Sequence, residues 1–233
     1  MPAERVIVLP GLASGAGLSP ALDQVAAAGW EIVAPELAGF SGEAGFACPD
    51  DYLGWLTLLW DALDATGALP CPVIGASVGG MLAADLAVFR PEAVTKLALL
   101  APFGIFDPAH PGLDPYSVPT PARLDPLFAG GVPAAFGSRF EDRYGADEAP
   151  IARYLSDIAA ASLIWPLGDQ GLAGRLHRIR CPQLVLWGAD DQIIPVGTAA
   201  SWGPHTVVAG AGHLLEWDRP DVVGPALVSF LAS

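Results

Sequence analysis

The sequence predicts an α/β fold in which helices cover both faces of a parallel sheet. Short, near-continuous apolar segments alternate with helix-like segments over the first hundred residues, and the alternation resumes near Cys181. Of the 233 residues, 52% are hydrophobic and 15% are charged, so the chain can bury a large core. Both observations favour an ordered α/β protein over a disordered chain.

The predicted strands and helices follow one another in order. The candidate strands are residues 6–9, 31–34, 72–74, 96–100, 183–187 and 205–209. The candidate helices are residues 19–28, 51–66, 81–90, 147–165 and 220–231. In the first helix, Ser19 is a typical N-cap and Pro20 occupies the first helical position. Gly67 is expected to end the second helix.

The alternation stops at Ala101, where a proline-rich stretch begins. Proline cannot continue a helix or a central strand. The prolines concerned are Pro102, Pro108, Pro111, Pro115, Pro119, Pro121 and Pro126. We expect residues 102–180 to form a helical cap inserted after the fourth strand, with Asp147 as the N-cap of its helix and residues 1–101 and 181–233 as the core. The alternative is a small second domain with no role at the site.

Residues 75–80 join a predicted strand to a predicted helix, with Ser77 at the apex of the turn. So tight a turn needs small residues two positions before and after the serine, and Gly75 and Gly79 meet that need. The helix begins beneath the serine, so its backbone N–H groups can face an anion. The segment therefore predicts a nucleophile elbow.

Three side chains follow separate strands at the carboxyl edge of the predicted sheet, where ligands bind. They are Ser77, Asp191 and His213, with Asp190 as the alternative carboxylate. A serine hydroxyl needs a base to take its proton, and the base needs a carboxylate to orient it. The chain order of serine, aspartate and histidine suits an α/β sheet. His110, His177 and His205 are predicted to be structural or solvated.

Four motifs in this order show that the chain resembles the α/β-hydrolase superfamily over essentially its whole length. They are Leu9-Pro10-Gly11-Leu12 for the oxyanion loop, Gly75-Ala76-Ser77-Val78-Gly79-Gly80 for the elbow, residues 186–195 for the acid, and Gly210-Ala211-Gly212-His213 for the histidine. Residues 35–42 also resemble the family's loop after the preceding strand. Because the chain begins at the family's third strand, the resemblance implies a minimal α/β-hydrolase fold whose sheet has about six parallel strands.

The resemblance further implies that the backbone amides of Leu12 and Val78 form an oxyanion hole. The family commonly has His-Gly where this chain has Pro10 and Gly11, and Pro10 has no N–H to donate. Phe103 and Trp165 flank the entry to the cap and the exit from it. We expect these two side chains to line an apolar, substrate-binding pocket.

The charge of the chain limits its partners. A net charge of −14 disfavours nucleic acid and anionic membranes, so we expect a small-molecule substrate. Arg175, Arg178 and Arg180 are predicted to be a solvated helix end.

The three cysteines have no metal-ligand spacing, and we expect free thiols, no metal and no organic cofactor. Without an apparent targeting segment or membrane span, the protein is expected to be cytoplasmic, and its oligomeric state stays open.

These features predict a serine hydrolase that cleaves a small, largely apolar carboxylic ester through an acyl-enzyme. The same triad also serves carbon–carbon cleavage of dienoate ring-fission products, thioester or lactone hydrolysis, and perhydrolysis. Ala76 stands where ring-fission hydrolases typically have asparagine, which disfavours the first alternative. A non-catalytic ligand receptor is less favoured, because such proteins usually tolerate loss of the triad.

Overall fold

The computed structural model describes residues 4–12, 18–35, 37, 39–42, 45–119, 122–165 and 169–233. Parts of the segments singled out in the sequence lie outside these residues, namely positions 13–17 and 120–121 and parts of 35–42. Within the described residues, six parallel strands form one sheet in the order β2-β1-β3-β4-β5-β6. The strands are β1 (Arg5–Leu9), β2 (Glu31–Val33), β3 (Cys71–Ala76), β4 (Val94–Leu100), β5 (Gln183–Gly188) and β6 (Thr206–Val208). The predicted minimal parallel sheet is therefore confirmed.

Helices connect the strands. They are α1 (Pro20–Ala27), α2 (Tyr52–Thr66), α3 (Ser77–Phe89), α4 (Ala134–Gly137), α5 (Arg139–Tyr144), α6 (Ala149–Ile164), α7 (Leu215–Asp218) and α8 (Pro220–Ala232). As predicted, Ser19 caps α1 by accepting the N–H of Leu22, and Gly67 ends α2 in the left-handed conformation. Among the described residues, no helix has both the length and the apolar character needed to cross a membrane.

The two faces of the sheet are covered by different helices. The connection from β1 to β2 runs along the sheet in the direction opposite to the connection from β3 to β4. Because such crossovers are right-handed, α1 and α3 lie on opposite faces. Helix α8 packs against α1, whereas α3 packs against β1, β3 and β4 and is almost entirely buried. Because all six strands are parallel, their carboxyl ends lie at one edge of the sheet, as the functional prediction requires.

The segment between β4 and β5 carries α4, α5 and α6. Asp147 is not the N-cap of α6, because the helix begins at Ala149 and its N-cap is Glu148. The N–H of Ala149 instead bonds to the carbonyl of Gly145, which closes a turn ahead of the helix. The division into a core and a cap at residues 102–180 stays a prediction.

The prediction that Arg175 is solvated is wrong. Its guanidinium donates to both carboxylate oxygens of Asp85 at 2.6 and 2.7 Å, and Asp85 is fully buried in α3. The hydroxyl of Tyr52 in α2 donates to the same carboxylate at 2.6 Å. Arg178 and Arg180 are exposed, as expected. A lone aspartate within an otherwise apolar helix was the signal that a buried partner was needed.

Candidate active site

The turn between β3 and α3 holds Ser77 in a strained conformation. Ser77 has a positive φ of 54°, a region that non-glycine residues rarely adopt. A Cβ atom on Gly75 would lie 2.6 Å from the carbonyl oxygen of Gly79, so only glycine fits there. A Cβ on Gly79 would collide with the backbone of Leu9 and Pro10. The strain and the small neighbours are those that the sequence predicted for an elbow.

Ser77, His213 and Asp191 form one hydrogen-bonded relay. The Nε2 atom of His213 lies 2.8 Å from the Oγ of Ser77, and its Nδ1 lies 2.9 Å from the Oδ2 of Asp191. Ser77 and His213 are 0% exposed. A neutral imidazole between the two can accept the serine proton, and the carboxylate can stabilise the imidazolium that results.

Backbone hydrogen bonds fix the carboxylate in this relay. The Oδ1 of Asp191 accepts the N–H groups of Ile193 and Ile194, each at 2.9 Å, which leaves Oδ2 for His213. Asp190 is exposed and makes no such contact with the histidine. Of the two candidate carboxylates, the structure therefore brings Asp191 to the relay.

The loop that carries His213 is tied to the segment between β4 and β5. The carboxylate of Asp218 accepts the N–H of Gly212 at 2.7 Å and that of Ala129 at 2.9 Å. The ring of Phe103 meets the His213 ring edge-on, with 5.5 Å between the centroids. The N–H of Phe103 also donates to the Ser77 carbonyl at 3.0 Å. The structure thus brings Phe103 next to the relay.

Two stretches of backbone approach the serine where an oxyanion would form. The backbone at Gly11 lies so close to the serine that an added Cβ would be 2.9 Å from the Cβ of Ser77, and Leu12 follows it. Val78 lies in the first turn of α3, where backbone N–H groups have no acceptor within the helix. Both candidate amides are therefore carried by segments next to the nucleophile.

A cavity of about 390 Å³ adjoins the elbow through Gly11 and Ala76. Its walls are largely apolar, and include Leu9, Leu22 and Phe40. A second cavity, of about 120 Å³, is lined by Phe103, Ile193 and Ile194. The larger cavity falls within the range of small-ligand pockets, roughly 300–1,000 Å³.

Two charged residues that sequence reasoning missed line the larger cavity: Arg139 of α5 and Glu216 of α7. The Arg139 guanidinium lies 3.8 Å from the centroid of the Phe136 ring and 4.8 Å from that of the Trp217 ring. Burial lowers the pKa of Arg139 to about 10, against the opposing effect of Glu216, so the side chain remains charged at neutral pH. Burial raises the pKa of Glu216 from about 4.5 to about 7, although His213 and Arg139 oppose the rise.

The side chain of Trp165 does not line either cavity beside the relay, contrary to the expectation from the sequence. Its side chain is 56% exposed, and it lines neither of the two cavities. The residue follows the end of α6 with extended backbone angles, φ −90° and ψ 139°. Closeness in sequence to the end of the insertion therefore did not bring its side chain to either cavity.

The described residues contain no group of three or more His, Cys, Asp or Glu side chains that could hold a metal ion. Within the described part of the chain, Cys48, Cys71 and Cys181 are free thiols.

Comparisons with known proteins agree with this architecture. A model of the alpha/beta hydrolase family matches residues 6–226. The chain is 30% identical to a 2-hydroxymuconate semialdehyde hydrolase of Pseudomonas putida, over 86% of this chain and 76% of that protein. It is also 32% identical, over 67% of its length, to a dihydrolipoyllysine-residue acetyltransferase component of the acetoin cleaving system of Cupriavidus necator, but spans only 44% of that protein.

Among solved structures, the chain resembles the 2-hydroxy-6-oxo-6-phenylhexa-2,4-dienoate hydrolase of Rhodococcus sp. strain RHA1. The TM-score is 0.78 at 22% identity, and the match covers 99% of this chain and 91% of that one. At this identity, the likeness supports the fold alone.

Proposed function

The chain belongs to the alpha/beta hydrolase family, and from that premise we propose that it hydrolyses a small, largely apolar carboxylic ester through an acyl-enzyme. The observation that carries the proposal is the relay from Ser77 through His213 to Asp191, with hydrogen bonds of 2.8 and 2.9 Å. In this proposal Ser77 is the nucleophile, His213 the general base and then acid, and Asp191 the group that orients the histidine.

The reaction proceeds in two steps. The Oγ of Ser77 attacks the ester carbonyl while the Nε2 of His213 takes the hydroxyl proton, and the alcohol leaves with that proton as the acyl-enzyme forms. Water then attacks the acyl-enzyme and gives a proton to His213, which returns it to the Oγ of Ser77 as the bond to the acyl group breaks and the carboxylic acid leaves. The backbone amides of Leu12 and Val78 donate to the oxyanion in both steps, an effect worth about 3 kcal/mol for each donor.

The cavities support the choice of a small, apolar substrate. The 390 Å³ cavity is lined by Gly11 and Ala76, two neighbours of Ser77, so we assign it to the acyl group. Phe103 lines the 120 Å³ cavity and packs on His213, so we assign that side to the leaving group. The segment of residues 102–180 acts as the cap over both, in a protein that we place in the cytoplasm.

Hydrolysis of a carbon–carbon bond in a ring-fission product is the second candidate. It is favoured by the 30% identity to a 2-hydroxymuconate semialdehyde hydrolase. Ala76 argues against it, because the ring-fission hydrolases typically carry asparagine at this position. We therefore rank it behind ester hydrolysis, and thioester or lactone hydrolysis and perhydrolysis behind both.

A panel of substrates separates these activities. Ethyl esters of acyl chains with two to eight carbons are assayed beside a dienoate ring-fission product, a thioester and a lactone, with wild-type protein and Ser77→Ala. We expect the highest kcat/KM on a short to medium ester, and a loss of roughly 10⁴-fold or more in Ser77→Ala. A preference for the dienoate would establish the second candidate instead.

A phosphonate probe tests whether the protein is an enzyme or a non-catalytic receptor. We expect a mass adduct on Ser77 of the wild-type protein and none in Ser77→Ala. A folded wild-type protein that takes up no adduct and turns over no member of the panel would contradict the proposal and favour the receptor.

A further inference from the structure

We propose that the cavity beside Ser77 selects acyl groups that carry a neutral hydroxyl, and that Glu216 is the residue that binds this hydroxyl. The proposal rests on the proposed function, because the acyl group is the part of the substrate that Ser77 holds. It deepens that function by naming the class of ester, a hydroxyacyl ester, and the residue that recognises it.

Glu216 has an acceptor atom without a partner. Its Oε2 is buried, and no group in the described part of the chain donates a hydrogen bond to it. The residue forms part of the wall of the 390 Å³ cavity, which is also lined by Gly11 and Ala76, two neighbours of Ser77. Oε2 has no surface open to the cavity, so a ligand reaches a carboxyl oxygen only after the side chain rotates about its last torsion, which is soft. An unsatisfied buried carboxyl oxygen is costly, and a hydroxyl donor would remove that cost.

The charges around the cavity favour a neutral polar group. Arg139 brings a positive charge to the same wall, so an ammonium group on the substrate would be repelled. The ionised carboxylate of Glu216 likewise repels a second carboxylate, so either charged group would meet one repulsive charge beside one attractive charge on this wall. A hydroxyl is neutral and can donate to Glu216, so it avoids both penalties.

The remaining wall explains why the rest of the acyl group is a hydrocarbon. Leu9, Leu22, Ile32 and Phe40 contribute apolar surface to the same cavity. A few polar groups in a cavity lined mainly by apolar residues are the arrangement that orients a ligand and discriminates among similar ones, and here they are Ser19, Ser41, Arg139 and Glu216. Ordered water is the competing occupant, because a water molecule could also donate to Glu216.

The test compares ethyl hexanoate with ethyl 3-hydroxyhexanoate, ethyl 6-hydroxyhexanoate and ethyl 6-methoxyhexanoate. The assay is run at pH 8, where Glu216 is ionised, since its pKa is about 7. We expect at least one hydroxy ester to exceed ethyl hexanoate in kcat/KM by about tenfold. The methoxy ester should not, because an ether oxygen accepts a hydrogen bond but cannot donate one.

Variants assign the preference to Glu216. In Glu216→Leu, the ratio of kcat/KM between the hydroxy ester and the plain ester should fall to one or below. In Glu216→Gln, which keeps an acceptor oxygen but not the charge, the ratio should fall by several-fold. The exposed Glu92→Gln is the matched control and should keep the wild-type ratio. Equal kcat/KM for all four esters, or a preference that persists in Glu216→Leu, overturns the proposal.

A binding measurement separates failure of this proposal from failure of the proposed function. Calorimetric titration of Ser77→Ala protein with 6-hydroxyhexanamide and hexanamide requires no turnover. We expect about tenfold tighter binding of the hydroxy amide, and no difference once Glu216→Leu is added to Ser77→Ala. Selective binding without hydrolysis of any ester would contradict the proposed function alone, whereas ester hydrolysis with neither kinetic nor binding selectivity would contradict the role of Glu216 alone.

Discussion

Arg175 reaches from the segment that precedes β5 to Asp85 in the nucleophile-bearing helix and holds its carboxylate through two hydrogen bonds of 2.6 and 2.7 Å. Asp85 is fully buried, so its charge depends on these donors and on the hydroxyl of Tyr52. The Arg175 guanidinium also donates to the carbonyl of Gln170 at 2.7 Å. The pair therefore links α3, two turns below Ser77, to the end of the insertion.

Replacing Arg175 with methionine should lower the free energy of unfolding by about 3 kcal/mol, because it leaves a buried carboxylate without its main partner. Urea denaturation measures the change. Adding Asp85→Asn should restore part of the loss, since the uncompensated charge is then gone. The exposed Arg180→Met is the control and should change stability by less than about 0.5 kcal/mol. If Arg175→Met alone were as stable as Arg180→Met, the ion pair between Arg175 and Asp85 would contribute nothing to stability.

The position of Arg175 could not be predicted from composition and spacing, because these do not identify its partner in the folded chain. A cluster of arginines in sequence says nothing about a carboxylate ninety positions earlier in the chain, and the partner is set by how the insertion folds back on α3. By contrast, the location of Ser77, Asp191 and His213 followed from topology. Each residue comes after the end of a strand, and a parallel sheet brings all such positions to one edge.

The elbow depends on the absence of a side chain at Gly79. In Gly79→Ala, the new methyl group would collide with the carbonyl groups of Leu9 and Pro10. We expect a loss of about 1–3 kcal/mol in unfolding free energy, measured by urea denaturation, together with lower kcat, because Leu9 and Pro10 lead into the oxyanion loop. Gly130→Ala is the matched control, since a Cβ there meets nothing within 4 Å. Unchanged stability in Gly79→Ala would be at odds with the close packing of this turn.

The relay makes a specific prediction for Asp191→Asn. The asparagine oxygen can keep the hydrogen bonds from the N–H groups of Ile193 and Ile194, so its NH₂ group faces the Nδ1 of His213. That arrangement places the imidazole proton on Nε2, where it blocks acceptance of the Ser77 proton. We expect kcat for ester hydrolysis to fall by roughly 10⁴-fold with little loss of stability. The exposed neighbour Asp190→Asn should keep wild-type kcat, and a comparable loss there would reverse the assignment of the acid.

The sequence did not predict the two charged residues that line the larger cavity. Arg139 and Glu216 lie on α5 and α7, helices of six and four residues that are too short to show a helical hydrophobic period. Their meeting depends on α4 and α5 packing on α7, through contacts such as the 5.2 Å approach of the Phe136 and Trp217 rings. Local patterns fix the strands and the long helices, whereas such contacts between short elements require the folded chain.

Glu216 should make the stability of the protein depend on pH. The unfolded chain releases the Glu216 proton near pH 4.5, whereas the folded protein holds it until about pH 7, because burial disfavours the carboxylate. Rising pH therefore favours the unfolded form across this window. The groups that face Glu216 are Arg139 on α5, Asp218 on α7 and His213, and the positive charge of Arg139 is not enough to cancel the effect of burial.

The glutamine variant isolates this contribution, because an amide does not titrate. Relative to the wild type, Glu216→Gln should gain about 3 kcal/mol in unfolding free energy between pH 4 and pH 8, as measured by urea denaturation at intervals of one pH unit. Glu92→Gln, at an exposed position, should show no such gain. A constant difference between Glu216→Gln and the wild type over this range would mean that the Glu216 carboxyl titrates normally in the folded protein, as it would if water entered the cavity freely and solvated the carboxylate.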